Sequence, residues 1–237
     1  MSFSSRSMSR VAALAVATIA FSSSSANAGA GVEFALSLDG GAPFVFSPPS
    51  TPLGGGNFNY QGDLNDVGFS LGWDLNVGTD PFVSGNIVIT NTGFFTTVYS
   101  LTITLPTTTN VSTLIGGSVA GGLTTDTAGG ALTDAGGPVW SALIDNNVVA
   151  TMLNNPFSVS LPGAGSAGIG PESFGAPIPS LPAPAVASSI GIRLTFSLTP
   201  GDQASFTSVF VVKPIPAPAG LALLGVAGLL GGRRRRA

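Results

Sequence analysis

The chain has 237 residues with eight Lys and Arg, eleven Asp and Glu, and neither cysteine nor histidine. Without cysteine there are no disulfide frameworks, thiolate metal sites or thiol catalysis, and without histidine the commonest general base and metal ligand is gone. The charges are also segregated, since Arg193 and Lys213 are the only cations between residues 29 and 213 while all eleven acids lie there, a balance of 2 minus 11 or −9; such a surface repels phosphate backbones and excludes nucleic-acid binding.

At the start, Arg6 and Arg10 precede an apolar run over residues 11–21, a serine-rich stretch, and Ala26-Asn27-Ala28 before Gly29. A basic region, an apolar region and an A-x-A site are the three parts of a signal peptide, so residues 1–28 are expected to form a signal helix that is removed, with cleavage read by Ala26 and Ala28 and a mature chain beginning at Gly29. The 185 residues from 29 to 213 (213 minus 28) suit one domain with a core it can bury without staples.

Within that domain, apolar residues alternate with small or polar ones. Residues 32–39 place Val32, Phe34, Leu36 and Leu38 on one face; 67–75 do the same with Val67, Phe69, Leu71, Trp73 and Leu75; and 99–105 with Tyr99, Leu101, Ile103 and Leu105. Residues 190–198 repeat the scheme, and further strands are expected at 87–90, 139–145 and 206–212. A period of two marks half-buried strands, and turn residues such as Gly54-Gly55-Gly56, Asp80-Pro81 and Pro200-Gly201-Asp202 separate them. No stretch has a period of 3.6, so the expected fold is all-β, an antiparallel β-sandwich of immunoglobulin-like or jelly-roll-like kind.

Two stretches break the pattern. Four Gly-Gly pairs recur over residues 116–137, where the echo between Leu123-Thr124-Thr125-Asp126 and Leu132-Thr133-Asp134 predicts two short strands joined by a flexible turn. Seven prolines fall in the 29 residues 156–184, which predicts a long extended loop over the sandwich surface.

The end of the chain reads Ile215-Pro216-Ala217-Pro218, then 14 apolar residues from Ala219 to Gly232, then Arg233, Arg234, Arg235 and Arg236. As a helix the apolar run spans about 21 Å, short of a hydrocarbon core of roughly 30 Å. The arginines behind it can snorkel to the interface and hold that end on the cytoplasmic side. A proline motif, a Gly/Ala/Leu helix and an arginine cluster on a chain with a signal peptide resemble the PEP-CTERM sorting signal. Pro216 and Pro218 match that family's two prolines, Ala217 stands where the family has Glu, and the four arginines match its basic tail. The resemblance covers residues 214–237. It implies processing by an exosortase-like enzyme, docking to the membrane through the C-terminal transmembrane helix, and delivery to the cell surface or an exopolysaccharide-rich biofilm matrix.

Candidate chemistry in the domain is sparse. Asp63, Asn65 and Gly68 fit positions 1, 3 and 6 of an EF-hand loop, but position 5 is Val67 and position 12 is Asp74 on an expected strand, so the acids from Asp63 to Asp80 read as solvated turn and strand-face groups. No metal and no cofactor is expected. A glycan-binding face needs exposed aromatic rings; Trp73 and Tyr99 fall on inward faces, which leaves Tyr60 and Trp140 as candidates against ordinary core packing. The expected function is an exported, non-catalytic surface or matrix protein. A carbohydrate-binding or adhesive module is the second reading, and a hydrolase built on Asp pairs the third.

Overall fold

A computed structural model describes residues 31–109 and 111–215. The expected signal helix and the expected C-terminal helix lie outside these residues, as do Ala26, Ala28, Gly29, Pro216, Ala217, Pro218 and Arg233 to Arg236. Among the described residues no helix is long and apolar enough to cross a membrane.

All regular structure among the described residues is β. In chain order the strands are β1 (Glu33–Leu38), β2 (Phe44–Phe46), β3 (Thr51–Gly54), β4 (Asn57–Asp66), β5 (Phe69–Gly78), β6 (Phe82–Asn91), β7 (Thr97–Pro106) and β8 (Thr113–Thr125). They continue as β9 (Gly130–Asp134), β10 (Trp140–Ile144), β11 (Asn147–Met152), β12 (Ser158–Leu161), β13 (Gly165–Phe174), β14 (Leu181–Ala183), β15 (Ser189–Leu198) and β16 (Gln203–Pro214). They form two eight-stranded antiparallel sheets. One runs β11-β10-β15-β7-β1-β2, with β9 also on β15 and β12 on β9; the other runs β13-β8-β16-β6-β5-β4-β3, with β14 on β8.

The pairings are nested. Going forward, β6, β7, β8 and β10 alternate between the sheets; coming back, β11 pairs with β10, β13 with β8, β15 with β7 and β16 with β6. The chain thus runs out as a ribbon and returns along itself, with β16 inserted between β6 and β8. The inner faces are those the alternation marks: Phe69, Leu71, Trp73 and Leu75 on β5, Tyr99, Leu101, Ile103 and Leu105 on β7, and Leu194, Phe196 and Leu198 on β15 are all buried. Tyr99, Phe196 and Phe206 form a continuous aromatic run between the sheets, with centroids 5.7 and 5.2 Å apart. Each such side chain contributes about 1.5–3 kcal/mol by leaving water.

The structure corrects four expectations. Val67 is not the first inward residue of a strand: it occupies the tight turn between β4 and β5, 94 % exposed, where Gly68 adopts φ +92°. The alternation carries on through the turn by coincidence, because only a left-handed residue closes so short a hairpin. The glycine-rich stretch does hold two strands joined by a turn, but only one of them is short. Its first ten residues belong to the 13-residue β8, and the echo segment forms the five-residue β9 in the opposite sheet. Gly121 is there because its α-carbon faces the Ser205 carbonyl of β16 so closely that no Cβ would fit. The proline-rich stretch is no loop either, since it supplies β12, β13 and β14. Its prolines are tolerated because β13 and β14 lie at the sheet margin, pairing on one side only, with an irregular register between Ile169 and Glu172 that accommodates Pro171. The fourth correction concerns Tyr60 and Trp140. Both are buried in the core, Tyr60 on β4 and Trp140 on β10 against Phe174. Neither can present a ring to a glycan.

The sandwich has two distinct ends. β1 begins beside the close of β7, with Glu33 opposite Thr104, and β16 finishes beside the start of β8, with Pro214 opposite Thr113. The first and last described residues therefore emerge at the same end. At the other end lie the β1-β2, β4-β5, β6-β7 and β15-β16 turns. At about 3.3 Å per residue, the twelve residues of β16 separate the ends by about 40 Å.

Candidate functional site

Of the residues expected to carry sorting, Ile215 is the one described. It follows β16 directly, and its amide donates to the Ser112 carbonyl at 2.9 Å, so the backbone is held to the domain up to the first residue of the proline motif. A hollow of about 440 Å³ lined by Asp80, Phe82, Val212, Lys213 and Pro214 lies beside this exit.

The acids from Asp63 to Asp80 do not converge. Asp63 faces Gly72 and Asp66 faces Phe69 across the β4-β5 hairpin, so the would-be loop is two paired strands. Asp63 accepts from Asn65 Nδ2 at 2.9 Å and Asp74 from Asn59 Nδ2 at 2.8 Å. Among the described residues no three acidic side chains are grouped to hold a metal ion.

Most other carboxylates hold backbone in place. Asp145 lies in the β10-β11 turn and accepts from the amides of Ala187, Ser188 and Ser189 and from the Ser188 hydroxyl, at 2.6 to 3.0 Å. Burial pushes its pKa up, but these four donors outweigh that and hold it at about 2. Asp134 accepts from the amides of Phe157 and Gly136 and from Asn155, and the same cause keeps its carboxyl below the usual range. Glu172 takes the Leu153 amide at 2.7 Å, and Asp39 takes the Val98 amide at 2.8 Å. Asp202, fully buried, bonds the Thr199 hydroxyl and accepts from the Asp126 amide at 3.3 Å. Charge-assisted bonds of this kind fix loops, and they occupy the oxygens that general acid or base chemistry would need.

The most distinctive surface is the end away from the first and last described residues. There the β6-β7 connection carries Phe94 and Phe95, 91 % and 80 % exposed, beside the exposed Val67 of the β4-β5 turn. The two turns are joined by a bond from the Thr92 amide to the Gly68 carbonyl at 3.1 Å. Their presentation is built from below by Asn91, the last residue of β6 and fully buried. Its Nδ2 donates to the Phe95 and Leu198 carbonyls, both at 2.9 Å, and its Oδ1 accepts the Gly93 amide at 3.0 Å. Its backbone is gripped on both sides, the amide donating to the Asp202 carbonyl at 2.9 Å and the carbonyl accepting from the Gly201 amide at 2.8 Å. Next to this loop, Asp39 exchanges bonds with Val98 and so ties down the β1-β2 turn.

Below the tip a cleft of about 400 Å³ opens between the β1-β2 and β4-β5 hairpins. Leu38, Ala42, Phe44 and Phe69 line it, with Asp66 as its carboxylate. Phe44, 47 % exposed, extends the aromatic surface along the edge strand β2. Tyr99 lies beneath, its hydroxyl donating to the Gly68 carbonyl at 3.4 Å; burial, partly offset by Thr97 and reinforced by Asp39, pushes its pKa up to about 12. The alternation points to neither Phe94 nor Phe95. The available signal is Asn91-Thr92-Gly93, a turn sequence, followed by two bulky apolar residues that belong to neither flanking strand.

Compared with known proteins, the chain matches no family model and no curated protein.

Proposed function

We propose that this chain is an exported, non-catalytic protein of the cell surface or extracellular matrix. In this reading it is cut after Ala28 and docked to the membrane through its C-terminal apolar helix, and its Pro216-Ala217-Pro218 tail is processed by an exosortase-like enzyme. The observation that carries the reading is the placement of the two ends of the described domain. The described domain is left at one end of a sandwich about 40 Å long, so a tail beyond Ile215 seats that end at the bilayer and turns the Phe94-Phe95 tip outward. The carboxylates, committed to holding turns, favour a scaffold over a hydrolase. Of the two sandwich types, the nested pairing of β6 to β16, β7 to β15, β8 to β13 and β10 to β11 favours the jelly roll, a ribbon wound into two four-strand sets. On this view β1-β2 and β3-β4-β5 extend one side of each sheet.

Mass spectrometry of the C-terminal peptide of surface-extracted protein tests the sorting. A peptide ending before the arginines is expected; one that still contains Arg233 to Arg236 replaces sorting with a simple anchor.

A further inference from the structure

We propose that the Phe94-Phe95 tip, with the cleft beside it, binds an uncharged polysaccharide. Two aromatic rings held almost wholly in water cost free energy, and here the backbone beneath them is fixed by the buried Asn91. A flexible loop would fold such rings away; this one is built to display them.

Size, charge and chemistry select the occupant. Two phenylalanines of roughly 150–250 Å² each, with Val67, make a patch on the order of 500 Å². That is well below the roughly 800 Å² per partner of a stable protein interface, so the tip suits a small repeating ligand held at many copies. Of the two cations in the described domain, Lys213 is at the far end and Arg193 lies mid-strand on β15, its Nε on Thr102 Oγ1 at 3.3 Å. The tip therefore offers Asp39 and Asp66 without a positive charge, which repels anionic lipid headgroups and acidic polymers alike. An uncharged sugar meets both features. Its C–H face, slightly positive, lies on the negative face of an aromatic ring, and its hydroxyls donate to a carboxylate oxygen such as Asp66 Oδ2 at the cleft, beside the Oδ1 that accepts the Val67 amide at 2.7 Å. Phe44 supplies a further ring surface along the cleft.

The inference rests on the proposed sorting only for the outward direction of the tip; the chemistry stands on the side chains themselves. The test is native electrophoresis of the purified full chain through gels containing dextran, galactomannan or hydroxyethylcellulose, with alginate as the acidic counterpart. At least one neutral polysaccharide is expected to retard the chain, with retardation reduced at least fivefold in Phe94→Ala/Phe95→Ala and in Asp66→Asn, and no retardation by alginate. Because the rings are exposed, the double variant is expected to melt with the wild type. No retardation by any of the three neutral polymers, or retardation unchanged in the double variant, overturns the proposal. So does equal retardation by alginate. Loss in the double variant of binding to phosphatidylcholine vesicles, or of self-association in sedimentation, without a change in gel retardation, reassigns the tip to a lipid or a second copy and equally overturns it. None of these readouts depends on tail processing, so this inference and the sorting reading fail separately.

Discussion

Replacing Asn91 with alanine removes three hydrogen bonds from the base of the aromatic tip. The Leu198 carbonyl loses its side-chain donor in a buried site, worth about 1–3 kcal/mol. The Phe95 carbonyl keeps a second donor, the Thr97 hydroxyl at 3.2 Å, and the Gly93 amide is part-exposed, so these two bonds contribute about 0.5–1.5 kcal/mol each. The sum of the central values is about 4 kcal/mol. The backbone bonds between Asn91, Gly201 and Asp202 survive, so the loss is confined to the loop. For a domain of this size it lowers the melting temperature by about 8–16 °C. Urea titration followed by tryptophan fluorescence measures the free energy, and chymotrypsin, which cuts after phenylalanine, reports release of the loop as faster cleavage at Phe94 and Phe95. A second substitution sharpens the test. Asn91→Asp still accepts from Gly93 but turns a carboxylate toward two carbonyl oxygens, so at neutral pH it is expected to destabilise at least as much as alanine, with partial recovery in acid as the carboxyl protonates. A loss below about 1 kcal/mol for Asn91→Ala, with unchanged chymotrypsin cleavage, would refute the view that this side chain builds the tip.

Two further outcomes are expected. The Asp145 carboxyl is held at about 2 in the folded chain, below its unfolded value near 3.9, so its contribution is complete above pH 4 and disappears as pH falls from 4 to 2; urea midpoints measured across that window should fall less steeply in Asp145→Asn than in the wild type, and parallel curves would count against the role of this turn. Gly121→Ala pushes a methyl group into the Ser205 carbonyl of the neighbouring strand and is expected to cost about 2 kcal/mol or more, whereas at Gly122 the nearest atom to a new Cβ is 3.4 Å away and alanine should be accommodated within about 0.5 kcal/mol; similar melting of the two variants would show that the close approach of β8 to β16 is unimportant.

Where one face of a strand meets the core and the other meets water, the sequence records it. The alternation on β1, β5, β7 and β15 therefore predicts the inner faces correctly for Phe34, Trp73, Tyr99 and Phe196. The same logic explains the misses. β13 and β14 are held by backbone pairing and bury little beyond Ile169, so no apolar period marks them and their prolines suggest a loop. Tyr60 shows the converse. The rest of its strand, β4, is half-buried or exposed, and only the sheet opposite makes that one position interior.

Composition and order along the chain by themselves determined the all-β class, the segregation of charge that leaves the middle acidic, and the lack of thiol or imidazole chemistry. These depend on residue types and local period, which need no partner to be read. Tertiary structure alone decided which strands share a sheet, that both ends of the described domain lie at one end of the sandwich, and that Phe94 and Phe95 face water while Tyr60 and Trp140 do not. Those outcomes depend on which distant segment lies across from each residue: Asn91 reaches Leu198, 107 residues away, to fix the tip, and no local pattern records that meeting.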